Sequence, residues 1–291
     1  MNSIKENAPE WSVKMGEDTA RRWFITGVST GFGRELARAV VQAGDTVIGT
    51  VRKQEQVAEL EAEGISAVVM DVNDQAQVDH AVGQANNRLG GVDVLVNNAG
   101  FGLVGAIEAL GMDQIRSVME TNFFGVLRVT KAFIPQMREQ GGSIVMISSM
   151  AGQVGFAGTG AYCATKFALE GMAEALAEEL KPFGVDVLIV EPGAFRTDFS
   201  GRSLSAAEQS VDAYAGMQAG EAKTIMAQYH GHEPGDPAKA SKAIIDAVRS
   251  DEPPLRLALG ADAVEGIGNK LERLKTDMDN WREASVATAF S

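Results

Sequence analysis

Arg22-Trp23-Phe24-Ile25-Thr26-Gly27-Val28-Ser29-Thr30-Gly31-Phe32-Gly33-Arg34-Glu35-Leu36-Ala37-Arg38-Ala39-Val40-Val41 is the stretch whose reading decides the fold. A short apolar run, Arg22 to Thr26, leads into a turn rich in glycine, and residues with helical spacing follow from Glu35. Strand, glycine-rich turn, helix is the context in which clustered glycines mark a dinucleotide phosphate site. Gly27, Gly31 and Gly33 let the chain turn tightly and let a pyrophosphate approach the backbone, with Ser29, Thr30 and Phe32 between them. The helix amino terminus offers free N–H groups and a positive dipole end to that anion. The spacing is Gly-x-x-x-Gly-x-Gly, not the general Gly-x-Gly-x-x-Gly, and a glycine turn alone also describes a plain tight loop.

Outward from this turn the chain alternates. Apolar strand segments are expected at 23–26, 46–51, 65–72, 92–97, 143–148, 185–191 and 255–259, with helices at 33–43, 54–63, 75–89, 112–140, 161–183 and 238–250 between them. Strands that are apolar throughout suit a parallel sheet covered on both faces. The alternation predicts an α/β fold: one Rossmann domain, a doubly wound parallel sheet of about seven strands with helices on both faces. Residues 1–20 read as a polar extension, and 21–291 as the domain. Pro234-Gly235-Asp236-Pro237 reads as a loop before a helix.

The second informative group is Tyr162-Cys163-Ala164-Thr165-Lys166, with Ser149 thirteen residues before the tyrosine. Residues i and i+4 share a helix face. An ammonium beside a phenol favours its ionised form, so Lys166 is expected to lower the Tyr162 pKa from ~10. Such a phenol exchanges protons with an alcohol or carbonyl oxygen, and Ser149 supplies a second hydroxyl to the same oxygen. Tyr-x-x-x-Lys alone also occurs as ordinary helix decoration.

Composition sets limits. The chain has 291 residues, 45% apolar and 22% charged, with a formal net charge of −13. That charge argues against nucleic acid and anionic membrane surfaces. No apolar run approaches the ~20 residues of a membrane span, and the first twenty residues lack a hydrophobic signal core. Cys163 is the only cysteine, which points to a reducing, cytoplasmic setting. His80, His230 and His232 lack the companions a metal site needs, so no metal is expected.

Thr26 to Gly33, Asn97-Asn98-Ala99-Gly100, Ser149, Tyr162-x-x-x-Lys166 and Pro192-Gly193 occur in that order, and together they resemble the short-chain dehydrogenase/reductase family. The resemblance covers about Trp23 to Thr197, more loosely to Leu259. Around Tyr162 it is nearest the hydroxysteroid and retinol dehydrogenase branch. It implies a nicotinamide cofactor, Tyr162 as general acid/base, Ser149 holding the substrate oxygen, and Lys166 on the nicotinamide ribose. Asn122 matches a fourth catalytic position that steadies a water in the proton relay; without the family it reads as a polar residue needing a partner inside a helix. By the same resemblance Asp71 and Val72 meet the adenine, and Asn98, Ala99 and Gly100 pass under the adenosine ribose. Pro192 and Gly193 end a strand, and Phe195 and Thr197 hold the carboxamide. The second strand ends Val51-Arg52-Lys53. Val51 stands where NAD-binding members carry Asp, and Arg52 and Lys53 suit a 2′-phosphate, with Thr30 adding a hydroxyl. NADP(H) is therefore expected over NAD(H).

The segment from about 199 to 235 is expected to form a substrate lid, with Tyr214, Met217, Ile225, Met226 and Tyr229 as apolar members. Phe101, Leu103, Val104, Val154 and Phe156 flank the presumed reaction centre. An apolar pocket suits a hydrophobic ketone, aldehyde or alcohol. The rival reading, a catalytically silent NADPH-binding sensor, would be supported by loss of Ser149, Tyr162 or Lys166; all three are present. A sugar-nucleotide epimerase is disfavoured by the glycine spacing and the short carboxyl-terminal part. The resemblance implies a homodimer through helices 112–140 and 161–183, with a homotetramer as the runner-up. Val264, Ile267, Leu271, Leu274, Met278 and Trp281 recur at helical spacing. That predicted helix (about 261–285) could block a second interface, build another, or pack on its own subunit.

Overall fold

The computed structural model describes residues 20–290; all but the last residue of the predicted amino-terminal extension lies outside them. The strands are β1 (Arg22–Ile25), β2 (Thr46–Val51), β3 (Ser66–Val69), β4 (Val94–Asn97), β5 (Gly102–Val104), β6 (Gly142–Ile147), β7 (Val185–Pro192), β8 (Leu204–Ala206) and β9 (Arg256–Leu259). The α-helices are α1 (Gly31–Gln42), α2 (Val57–Glu61), α3 (Gln75–Leu89), α4 (Met112–Met119), α5 (Val126–Gln140), α6 (Gly160–Leu180), α7 (Ala222–Tyr229), α8 (Pro237–Arg249) and α9 (Ala261–Val286). Seven strands form one parallel sheet in the order β3-β2-β1-β4-β6-β7-β9. The order reverses between β1 and β4, and an open α/β sheet binds ligands at such a reversal.

Both faces of the sheet are covered. Phe24, Leu95, Ile144 and Ile189 point into one apolar layer with Phe133 and Leu169 from α5 and α6. Trp23, Ile25, Val96 and Val190 point into the other with Leu36 and Val40 of α1 and Ile244 of α8. Successive strand residues alternate between these layers, so an unbroken apolar run serves both. The helix ends follow local chemistry. The Asp74 carboxylate caps α3 by accepting from Ala76 N and Gln77 N, and α3 stops at Gly90 in the left-handed region. Asp236 caps α8, with Pro237 in its first turn.

Two helices differ from the sequence reading. The helix expected over 112–140 holds a π-helical stretch, Glu120–Gly125, between α4 and α5, and this widened turn carries Asn122. The segment 54–63 keeps only a 3₁₀ turn and the short α2. The carboxyl-terminal helix forms but barely packs on its own chain. Beyond Lys270 its apolar residues stay open, with Leu271 56%, Met278 65% and Trp281 69% exposed. No helix among the described residues is long and apolar enough to cross a membrane.

Candidate active site

At the carboxyl ends of the strands lies a cleft of about 750 Å³. The glycine turn forms one end. Gly27 and Gly31 adopt φ of +72° and +61°, conformations that glycine adopts without strain. Gly33 does not line the cleft. It packs behind it, where a Cβ would lie 2.3 Å from Asn98 Nδ2 and 2.5 Å from the Gly27 carbonyl oxygen. Asn98 stitches the turn in place: its Nδ2 donates to the carbonyls of Thr26 and Gly27, both at 2.9 Å. The Thr26 hydroxyl accepts from Asn98 N and Ala99 N at 2.9 Å. The Asn-Ala-Gly segment is thus structural as well as wall.

The turn fits a dinucleotide phosphate. Thr30 stands at the α1 N-cap without a side-chain capping bond, and the first turn of α1 carries no acid. The helix's free N–H groups and positive end therefore remain open to an anion. Val51, Arg52, Asp71 and Val72 line the same end. Arg52 makes no ion pair among the described residues, whereas Lys53 lies outside the cleft and faces Glu55 at 3.8 Å. Of the two basic residues singled out, only Arg52 borders the site.

Ser149, Tyr162 and Lys166 meet at the other end. Ser149 is positioned by the loop after β6; its hydroxyl accepts from Ala151 N at 3.1 Å. The neighbouring Ser148 hydroxyl is buried without a hydrogen-bond partner. Tyr162 and Lys166 stand one turn apart on α6, and Lys166 Nζ lies 5.7 Å from the Tyr162 ring centroid. Nζ donates to the Ile147 carbonyl at 2.7 Å. Burial lowers the Lys166 amine to about 8, opposed by the charge of Glu170.

The phenol behaves differently from the expectation. Burial pushes the Tyr162 hydroxyl well above its ordinary value, and the nearby Ser149 hydroxyl only partly offsets this. Desolvation disfavours the ionised form, and the neighbouring Cys163 adds to the rise.

Asn122 is buried, and its amide is spent: Oδ1 accepts from Phe101 N at 3.0 Å, while Nδ2 donates to Phe101 O at 2.9 Å and to Thr165 Oγ1 at 3.2 Å. Its side chain braces the segment after β4 against α6 and does not line the cleft. Pro192, Gly193, Phe195 and Thr197 do line it. Phe195 meets Phe32 edge to face at 5.7 Å, across the glycine turn. The Thr197 hydroxyl accepts from Phe199 N at 3.3 Å.

The segment after Thr197 covers the cleft. Its β8 pairs in parallel with β5, so Leu204 lies beside Gly102. Ile225, Met226 and Tyr229 line the cleft, and Phe101, Leu103, Val104 and Phe156 face them. Tyr214, Met217 and Val154 do not line it. Several lining residues were not singled out by the sequence reading, among them Met150 and Leu204, and Phe199 entered it only as the first residue of the lid. Phe199 packs on the Tyr162 ring at 5.4 Å, and Met150 follows Ser149. Phe199 follows a Thr-Asp turn, which by itself carries no sign of a partner 37 positions away. Among the described residues no group of three His, Cys, Asp or Glu could hold a metal ion. Cys163 is buried, 3.3 Å from the Thr159 hydroxyl.

Comparison with known proteins gives a consistent result. A family model described as short chain dehydrogenase matches residues 21–208. The oxidoreductase BOA17 of Botryotinia fuckeliana is 37% identical over 272 residues, spanning 92% of this chain and 98% of that protein. Retinol dehydrogenase 8 of Bos taurus is 35% identical over 257 residues, 82% of this chain and 81% of that one. A crystal structure of a short-chain dehydrogenase from Streptomyces avermitilis matches with a TM-score of 0.87 at 45% identity, covering 94% of this chain and 100% of that chain.

Proposed function

The chain belongs to the short-chain dehydrogenase family, and on that premise we propose that it is an NADP(H)-dependent oxidoreductase interconverting a ketone or aldehyde and the corresponding alcohol on a hydrophobic small molecule. The observation that carries this reading is the convergence of Ser149, Tyr162 and Lys166 on one cleft with the open amino end of α1. When bound, the nicotinamide supplies or accepts a hydride.

The chain's own residues do the rest. The Ser149 hydroxyl orients the substrate oxygen. In the reducing direction the Tyr162 phenol donates its proton to that oxygen. Lys166, charged at neutral pH, stabilises the phenolate left behind. Asn122 acts through its hold on Phe101 and Thr165, a positioning part in any proton relay. Arg52 and the free Thr30 hydroxyl favour a 2′-phosphate, and a guanidinium binds phosphate by paired, charge-assisted hydrogen bonds. Phe195 and Thr197 take the carboxamide.

Residues 199–235 act as the lid of a single domain. Phe199, Leu204, Ile225, Met226 and Tyr229 give its inner wall an apolar part suited to a hydrophobic substrate, beside the polar Ser200, Arg202, Ser203, Ser205, Gln218 and Glu233. The name of the retinol dehydrogenase relative agrees with an apolar alcohol or carbonyl. A homodimer through α5 and α6 is consistent with Phe124, just before α5, and Phe167 of α6, each 44% exposed. The acidic net charge and lone buried cysteine fit a cytoplasmic protein without nucleic-acid or membrane partners.

The test is NADPH oxidation, followed spectrophotometrically, over a panel of steroids, retinal, aryl ketones and aliphatic aldehydes. Turnover of at least one apolar carbonyl is expected. NADPH binding without turnover of any of them would favour a silent sensor.

A further inference from the structure

The first turn of α9 reaches the loop that follows β7. Asp262 Oδ2 accepts from Ala194 N at 2.7 Å. Its carboxylate lies flat against Gly193, where a Cβ would come within 2.2 Å of Oδ1. The approach depends on two glycines. Gly193 leaves room for the carboxylate, and Gly260, at φ +96°, turns the chain from β9 into α9 so that Asp262 points back. The strand pair supports the same spot, with Gly193 N donating to Leu259 O at 2.9 Å. Farther along α9, Gly266 leaves the space occupied by the Met150 sulfur, which lies 2.9 Å from the position of a Cβ there. The base of α9 thus rests on both loops that feed the cleft, the one carrying Ser149 and the one carrying Phe195 and Thr197.

Asp262 has no cationic partner among the described residues and makes its one side-chain hydrogen bond to Ala194. An acid in the first turn of a helix is also favoured by the helix dipole. That alone would not require contact with residues 193–194, and a solvent-facing side chain would serve it as well.

We propose that Asp262 is a positioning residue for the nicotinamide half of the cofactor: by holding the Ala194 N–H it orients the 193–197 turn toward the reaction centre. The inference rests on the cofactor reading given above. Arg52, Asp71 and Val72, at the adenosine end, make no hydrogen bond or ion pair with Asp262, whereas the 193–197 turn meets the glycine turn through the Phe195–Phe32 contact.

The geometry makes a split prediction. Calorimetric titration with NADPH and with 2′,5′-ADP, which carries the 2′-phosphate but no nicotinamide, separates the two halves. Asp262→Ala should bind NADPH about tenfold more weakly, the scale of one charge-assisted hydrogen bond, and bind 2′,5′-ADP as the wild type does. Asp262→Asn keeps an acceptor for Ala194 N and should recover most of the loss. Asp262→Ser keeps a polar group in the helix turn but draws it away from Ala194; it should show the same split and serves if Asp262→Ala does not fold. Equal weakening of both ligands, or no weakening of NADPH, in a wild type that binds both would overturn the inference alone. A wild type that binds neither ligand overturns the cofactor reading and the inference with it.

Discussion

Glu170 stands one helical turn beyond Lys166 on α6, and both side chains are buried. The carboxylate shares Gln153 Nε2 with Glu191, at 3.2 and 2.9 Å, and lies 3.4 Å from Arg256 Nε. A polar network thus runs from α6, one turn beyond Lys166, to the last strand. Burial, chiefly, pushes the Glu170 carboxyl up to about 7.

That value makes a stability prediction. The folded carboxyl at about 7 lies above its unfolded value, so between about pH 4.5 and 7 the folded chain holds a proton that the unfolded chain has released. Stability from this site is fully present below that window and is lost as pH rises through it. Glu170→Gln stays neutral throughout. The difference in melting temperature between variant and wild type should therefore move in the variant's favour from pH 5 to pH 8. Parallel curves would show that Glu170 does not titrate there.

Tyr162→Phe should keep cofactor affinity and lose turnover by about 10² or more, the scale of general acid catalysis. The phenol is buried beside Phe199, so the fold should tolerate the loss of one hydroxyl. Near-normal turnover would refute the assignment.

Arg52→Ala should weaken NADPH by about tenfold or more while leaving NADH nearly unchanged, because only the former carries the phosphate that a guanidinium pairs with. Val51→Asp should reverse the preference by setting a carboxylate against that phosphate. Titrating each protein with both cofactors measures this, and tighter NADH binding by the wild type would contradict the argument.

The full chain should scatter light as a homodimer at micromolar concentration. Phe124→Glu, which places a charge on the exposed apolar surface between α4 and α5, should lower the mass toward that of a monomer. Removing residues 270–291 leaves the packed base of α9 intact, so a change of mass in that variant would assign an assembly role to the exposed stripe of Leu271, Met278 and Trp281. A monomeric wild type would contradict the homodimer through α5 and α6.

Much of this was legible in local sequence. The strand–turn–helix at Arg22–Val41 announces itself because neighbours along the chain carry the whole signal: an apolar run, glycines free of Cβ strain, then helical spacing. Tyr162 and Lys166 are likewise four residues apart on one helix, so their common face follows from backbone periodicity alone. Apolar runs with no polar alternation identified a sheet buried on both sides. Each of these inferences needs no contact beyond a few turns of chain.

What only the tertiary structure decided depends on residues far apart in sequence. The sign of the Tyr162 shift came from burial under Phe199 and its surroundings, which no i,i+4 rule contains. Whether Arg52 or Lys53 faces the cleft was settled by how the end of β2 packs, and the Asn122 amide found its partners in Phe101 and Thr165. The contact of Asp262 with Ala194 spans 68 positions. Sequence spacing records which residues share a face of one element. Desolvation and hydrogen-bond satisfaction are properties of the space between elements, and that space exists only once the chain has folded.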